Sequence, residues 1–149
     1  MFHDTAGQDQ LTEKIIGCAI RVHEAFGPGL FESIYKPCLV IELKASALEV
    51  DTMRRIPLTY RGHNIDAHFC PDIVVENSVI IELKAVEALT HIHKAQVITY
   101  LKLTGLPVGL LINFSVERLV DGVRRIVRPD LYVKGPNAHT ARKIEEEKG

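Results

Sequence analysis

The sequence predicts an α/β domain in which a mixed β-sheet is flanked by helices. Three observations carry that prediction. Two amphipathic helical stripes open the chain. Short strand-like runs punctuated by turn residues follow them. A helical segment over 90–104 then leads into Val108-Gly109-Leu110-Leu111-Ile112, an apolar run of the kind covered on both faces. A strand, a helix and a strand in that order cross over right-handed and leave the two strands parallel. Hairpins before and after that unit make the sheet mixed.

Taken in order, Leu11, Ile15, Ala19, Val22 and Phe26 recur in steps of four and three, which makes one apolar helical face. Asp9 or Thr12 suits its start, and Gly27-Pro28-Gly29 stops it. Phe31, Ile34, Cys38, Ile41, Ala45 and Leu48 form a second stripe. Pro37 is its one discord, because proline inside a helix removes a hydrogen bond. Residues 55–60 and 65–69 read as strands joined at Arg61-Gly62-His63-Asn64. Residues 72–76 and 79–84 read as a second hairpin, turning at Asn77-Ser78. Thr90 suits the cap of the third helix, with Gly105 and Pro107 ending it. Asp121-Gly122 reads as a turn between two last short strands. After Pro129 the chain turns polar, so 129–149 is expected to be a tail outside the domain.

A chain of 149 residues with 46% hydrophobic and 25% charged residues is ordinary globular material. No apolar run approaches the roughly 18 residues of a membrane span. The polar N-terminus lacks the apolar core of a signal peptide. Cys18, Cys38 and Cys70 are odd in number and widely spaced, which predicts free thiols in a reducing cytoplasm. A net charge of -1 excludes binding of nucleic acid by bulk positive potential. A polyanion would have to be met by a local basic patch or by metal ions.

The charges that stand out lie where a core would prefer none. Glu82 and Lys84 close a strand that begins Val79-Ile80-Ile81, and residues two apart leave the same face. Asp72 lies across the hairpin from them. Two carboxylates in an apolar setting need a shared positive charge, and Mg²⁺ commonly takes one or two carboxylates plus water. A neighbouring lysine completes the parts for hydrolysing a phosphodiester. The register decides whether the acids meet. A strict two-residue turn would pair 72 with 83 and turn Asp72 away from Glu82. Convergence requires a three-residue loop, a bulge, or a bend at Pro71-Asp72.

Pro71-Asp72 followed by Glu82-Leu83-Lys84 resembles the PD-(D/E)XK nuclease superfamily. Gln96-Val97-Ile98-Thr99-Tyr100 is similar to the QxxxY helix motif of its RecB-like branch. Gly29-Leu30-Phe31-Glu32-Ser33-Ile34-Tyr35 resembles the motif of its GxxExxY group. The resemblance runs from about Leu11 to Arg128, so 1–128 would be the nuclease-like domain. It implies a restriction-endonuclease-like αβββαβ core and a nuclease dependent on Mg²⁺ or Mn²⁺, with DNA or RNA as substrate. It also implies residue roles. Asp72 and Glu82 would bind the metal, with the Leu83 carbonyl and Glu32 completing the ligand set. Lys84 would orient the attacking water or stabilise the transition state. Gln96 and Tyr100 would hold substrate phosphate or brace the site. Cys70-Pro71 departs from the Arg-Ala more usual before the aspartate.

Other readings stand beside these. Asp72, Glu82 and Lys84 also suit a structural ion pair at a sheet edge, Glu32 a first-turn acid favoured by the helix dipole, and Tyr100 ordinary packing beside an exposed Gln96. Tyr35 reads as a packing residue that supports Glu32. His93 either looks toward the site or is a solvated helix-start histidine. His68, Cys70 and Asp72 alternate along one strand, but ligands from one strand sit too far apart for a convincing zinc site. The competing function is a non-catalytic module on the same fold, binding nucleic acid or protein. A homodimer would extend the grip of so small a domain on a long duplex.

Overall fold

A computed structural model of the chain describes residues 6–66 and 69–131. The expected tail from 132 onward and the strand position of His68 lie outside the described residues. Two helices come first, α1 (Ala6–Phe26) and α2 (Glu32–Ala45). They precede β1 (Val50–Asp51), β2 (Leu58–Tyr60), β3 (His63–Ile65), β4 (Ile73–Val75) and β5 (Val79–Lys84). Helix α3 (His91–Thr104) leads to β6 (Val108–Asn113), a short 3₁₀ turn at Leu119–Gly122, β7 (Val123–Val127) and a last 3₁₀ turn at Pro129–Leu131.

The main sheet runs β1-β4-β5-β6-β7. Strand β6 pairs parallel with β5 and antiparallel with β7. The expected parallel pair with its helical crossover is therefore present, in a mixed α/β fold consistent with the nuclease-like architecture. One sheet face carries Ile73, Val75, Ile81, Leu83, Leu110 and Ile112 against α1 and α2. The other carries Val74, Ile80 and Leu111 against Val97, Tyr100 and Leu101 of α3. Every residue of β6 is buried, as its unbroken apolar run requires. Among the described residues no helix is long and apolar enough to cross a membrane.

Helix α1 buries Ile15, Ala19 and Val22 as its stripe requires, but Phe26 ends it exposed. Its start lies before both residues expected to cap it. Thr12 sits inside the helix, and its hydroxyl bonds back to the Asp9 carbonyl at 2.9 Å. Helix α2 corrects the sequence reading more sharply. Its buried face is Tyr35, Leu39 and Leu43, whereas Phe31, Ile34 and Ile41 of the expected stripe face solvent, Phe31 with 79% of its surface exposed. The helix carries two adjacent apolar stripes, and spacing alone cannot choose between them. Arg21 of α1 helps fix the choice by pairing with Glu42 at 3.0 Å. Pro37 lies within α2 on its exposed side, where the carbonyl it leaves unpaired can meet water.

Two turns also differ from expectation. The first hairpin turns in two residues, Arg61-Gly62, both at positive φ, and not over four. Such a turn matches the twist of the strands it joins. Strands β2 and β3 form a separate two-stranded ribbon outside the main sheet. Near the C-terminus, Asp121-Gly122 closes a 3₁₀ turn and enters β7, so no strand precedes it between β6 and that turn. A Cβ on Gly122 would lie 2.2 Å from the Asn113 carbonyl oxygen, which explains a glycine there.

Candidate functional site

The β4–β5 hairpin sets the geometry. Val75 pairs with Val79, leaving a three-residue loop, and Ile73 pairs with Ile81. Continuing that register by one position brings Asp72 level with Glu82. Glu76 and Asn77 both adopt positive φ in the loop, and the Ser78 amide donates to the Val75 carbonyl at 3.0 Å. Of the three ways the acids could be brought level, the structure uses the loop.

The two acids then grip each other's strands. The Asp72 amide donates to Glu82 Oε1 at 2.8 Å, and the Leu83 amide donates to Asp72 Oδ2 at 2.8 Å. Glu82 is 5% exposed. Burial, and then the nearby Asp72 carboxylate, push its pKa up to about 7; Lys84 pulls the other way. Lys84 is half-buried at the end of β5, opposite Asn113 of β6. It leaves the strand on the same face as Ile80 and Glu82, toward α3.

Helix α2 supplies the opposite wall. Glu32 opens it, and Glu32 Oε1 accepts from the Ala85 amide at 3.2 Å, just beyond Lys84. One turn on, Lys36 Nζ lies 3.9 Å from Asp72 Oδ1. Tyr35 is fully buried and stacks on Phe114 with ring centroids 4.4 Å apart. Its hydroxyl donates to the Gly27 carbonyl at 2.5 Å and accepts from the Leu30 amide at 3.1 Å. Tyr35 thus fixes the loop that aims the start of α2, and Glu32 with it.

Helix α3 supplies the remaining residues. Gln96 Nε2 donates to Tyr100 Oη at 3.3 Å. Tyr100 packs on Phe69 with centroids 4.5 Å apart. Burial, with Glu82 and Asp72 nearby, pushes the Tyr100 pKa up to about 12, so its hydroxyl stays neutral in physiological water. His93 is a partly exposed helix-start histidine, with a capping part added. Its Nδ1 accepts from the Thr90 amide at 3.0 Å while Thr90 caps the His93 amide, a reciprocal cap at the start of α3.

The structure therefore brings Asp72, Glu82, Lys84, Gln96 and Tyr100 to the ends of β4 and β5, with Glu32 beside Ala85. Among the described residues, no three His, Cys, Asp or Glu side chains form a group able to hold a metal by themselves. What is present is two carboxylates and a strand carbonyl. That all-oxygen donor set fits a hard cation that keeps several waters, such as Mg²⁺. Burial is the main reason the proton affinity of Glu82 is raised; the second, repulsion from the Asp72 carboxylate, is one that a shared cation would relieve.

A family model described as the PD-(D/E)XK nuclease superfamily matches residues 9–126. The chain belongs to that superfamily. Membership in the PD-(D/E)XK nucleases points to nuclease activity on nucleic acid, in a group whose members generally use divalent metal ions. No curated protein and no solved structure matches the chain.

Two residues of this region escaped the sequence reading. Lys36 lies four residues after Glu32, on the same helix face, and that spacing was the available signal. Asn113 is the one polar residue ending the apolar β6 run. It is buried, and its amide bonds both the N–H and the C=O of Val86 while its oxygen also accepts from Ser115. It fixes the exit of β5 immediately after Lys84.

Proposed function

We propose that this PD-(D/E)XK protein is a Mg²⁺- or Mn²⁺-dependent nuclease that hydrolyses phosphodiester bonds of DNA or RNA. The observation that carries the reading is the reciprocal Asp72–Glu82 arrangement at the end of β5, with Lys84 on the same face. Asp72, Glu82 and the Leu83 carbonyl would hold the ion, with Glu32 within electrostatic reach of Glu82. When bound, the ion supplies Lewis acidity and a lowered proton affinity for water beside a phosphodiester. Lys84 presents a compact ammonium that stabilises charge developing on the phosphoryl oxygens. Gln96 and Tyr100 brace the wall behind Glu82, where the neutral hydroxyl offers a hydrogen bond but no charge. The GxxExxY-like stretch at Gly29–Tyr35 and the QxxxY-like stretch at Gln96–Tyr100 support assignment to the corresponding group and branch of the superfamily. The free thiols Cys18, Cys38 and Cys70 suit the cytoplasm. A homodimer would lengthen the grip on a long duplex.

The second reading is a non-catalytic nucleic-acid- or protein-binding module. It draws on the absence of a three-residue metal group among the described residues. Cleavage of plasmid, single-stranded DNA and RNA with and without Mg²⁺ or Mn²⁺, with Lys84→Ala as control, separates the two. Metal-dependent cleavage lost in the control supports the nuclease. Cleavage by neither form, with nucleic acid still bound, moves the module ahead.

A further inference from the structure

The β2–β3 ribbon has no place in the main sheet, yet its root is built into the candidate site. The Ile56 amide donates to the Phe69 carbonyl at 2.7 Å, closing the base of the arm. Ile56 is buried among Val74, Ile80 and Tyr100, and Phe69 lies against the Tyr100 ring. From that root the chain runs outward by at most about 17 Å before it turns at Arg61-Gly62, a reach of roughly four or five stacked nucleotides.

The exposed side chains of the arm are an unusual set. Tyr60 is paired with His63, and Leu58 with Ile65, so all four leave one face of the ribbon. Tyr60 is 69% exposed. Two rings thus flank the tip, with Arg61 between them in sequence. Arg55 and Arg61 have no hydrogen-bond or ion-pair partner among the described residues. The arginines elsewhere are mostly spoken for: Arg21 by Glu42, Arg54 by Asp51, Arg125 by Asp9, Arg128 by Asp130. In a chain whose net charge is -1, an unneutralised guanidinium at the tip beside two exposed rings, with a second at the root of the same arm, is a local feature able to meet a polyanion. Free cations with rings that offer π-faces match a strand whose bases are unpaired, because stacking needs no particular base.

We infer that the β2–β3 arm grips an unpaired stretch of nucleic-acid strand leading away from Asp72 and Glu82, with Tyr60 and His63 stacking on bases and Arg55 and Arg61 meeting phosphates. This rests on the nuclease reading only for the polarity of the strand toward the site; the grip itself needs no catalysis. It assigns the substrate class as single-stranded or locally opened nucleic acid. A duplex or a protein on the same face would be a different partner, and the test separates them.

Binding of fluorescent oligo-dT, oligo-U and a mixed-sequence duplex is measured by anisotropy in Ca²⁺ at two salt concentrations. The parent, Tyr60→Ala, Tyr60→Phe and Arg61→Ala are compared, all at exposed positions where the fold is not at stake. Tyr60→Ala is expected to weaken single-strand binding by about tenfold, and Tyr60→Phe to retain it, because the ring is what stacks. Arg61→Ala is expected to lower the slope of log affinity against log salt by about 0.7. Hydrolysis of bis-p-nitrophenyl phosphate in Mg²⁺ is followed in parallel and is expected to be equal in all four. Single-strand affinity unchanged in Tyr60→Ala overturns the arm while leaving the nuclease reading intact. Loss confined to the duplex, or a parent that binds no oligonucleotide, also overturns it. Lost affinity in variants of a parent that binds but never hydrolyses supports the arm and counts against catalysis alone.

Discussion

Asp72 and Glu82 each hold the backbone beside the other: the Asp72 amide is bound by Glu82, and the amide after Glu82 is bound by Asp72. Each acid thereby fixes its partner's strand as well as contributing charge. Removing either one should disturb both, and this shapes what mutation at the site is expected to do.

Asp72→Asn and Glu82→Gln each delete a ligand charge, so Mg²⁺ affinity and cleavage should fall together. Lys84→Ala should leave Mg²⁺ affinity equal or slightly higher, since it deletes a repelling cation, yet lower turnover by about 10²-fold or more. Lys84→Arg should not restore turnover, because a planar fork does not replace a compact ammonium. Calorimetric Mg²⁺ titration beside single-turnover cleavage reads both effects. Full-rate cleavage by Lys84→Ala at saturating metal would make the lysine structural.

Stability should depend on pH through Glu82. Its folded pKa of about 7 lies above the ordinary 4.5. Below pH 4.5 both folded and unfolded chains hold the proton, and the group costs nothing. As pH rises from 4.5 toward 7 the unfolded chain ionises first, so stability falls, by up to about 3 kcal/mol once the folded group has also ionised. Glu82→Gln should flatten that decline and be the more stable protein at pH 8 in chelator. Saturating Mg²⁺ should flatten it for the parent. Urea melts across pH check it, and a decline that persists unchanged in Glu82→Gln would assign it to another group.

Helix α3 rests on β6 with no room to spare at Gly109. A Cβ there would lie 2.5 Å from Val97 Cγ1 and 3.6 Å from the Ile80 carbonyl oxygen. Gly109→Ala should therefore destabilise by about 1–3 kcal/mol and shift the helix that carries Gln96 and Tyr100. Adding Val97→Ala should recover part of the loss, because it removes the atom that clashes. Thermal melts of the two single variants and the double variant test this; additive losses would be inconsistent with a local clash.

The Tyr35 hydroxyl bridges Gly27 and Leu30 in a buried setting. Tyr35→Phe keeps the stacking on Phe114 but orphans both backbone groups, at a cost of about 1–3 kcal/mol. Amide exchange at Leu30 should quicken more than that of the β-sheet core. Equal protection in both proteins would show that the loop is held by other means.

The strand-helix-strand crossover was legible because β5 opens with the apolar run Val79-Ile80-Ile81, β6 is apolar on both faces over Val108–Ile112, and Thr90 and Gly105 mark the helix between them. Asp72, Glu82 and Lys84 were legible as a group, since spacing of two fixes a face. Their meeting was not, because register depends on the loop, and Glu76 and Asn77 at positive φ are conformations the residue types allow but do not announce. The face of α2 was misread because two apolar stripes run side by side, and only the packing of α1 selects Tyr35, Leu39 and Leu43. Strands β2 and β3 were legible as a hairpin, but the turn was read two residues too long and the second strand too late, at 65–69 where β3 is His63–Ile65, and nothing in their alternation reveals that they leave the sheet. Lys36 and Asn113 escaped because each matters through a contact distant in sequence.

The loop at 76–78 is held from outside the hairpin, by Arg54 donating to Asn77 at 2.5 Å and by the Glu76 amide donating to the Glu49 carbonyl at 2.9 Å. Its length is therefore a counted quantity, and the count belongs to the chemistry. Deleting one residue there would still leave two strands able to pair and an apolar core of similar size. It would nonetheless put Asp72 out of step with Glu82, like a gear meshed one tooth off. Chains sharing this arrangement should then tolerate substitution in the loop far more readily than any change in its length, and a gain or loss of one residue should travel with a compensating bulge elsewhere in the hairpin.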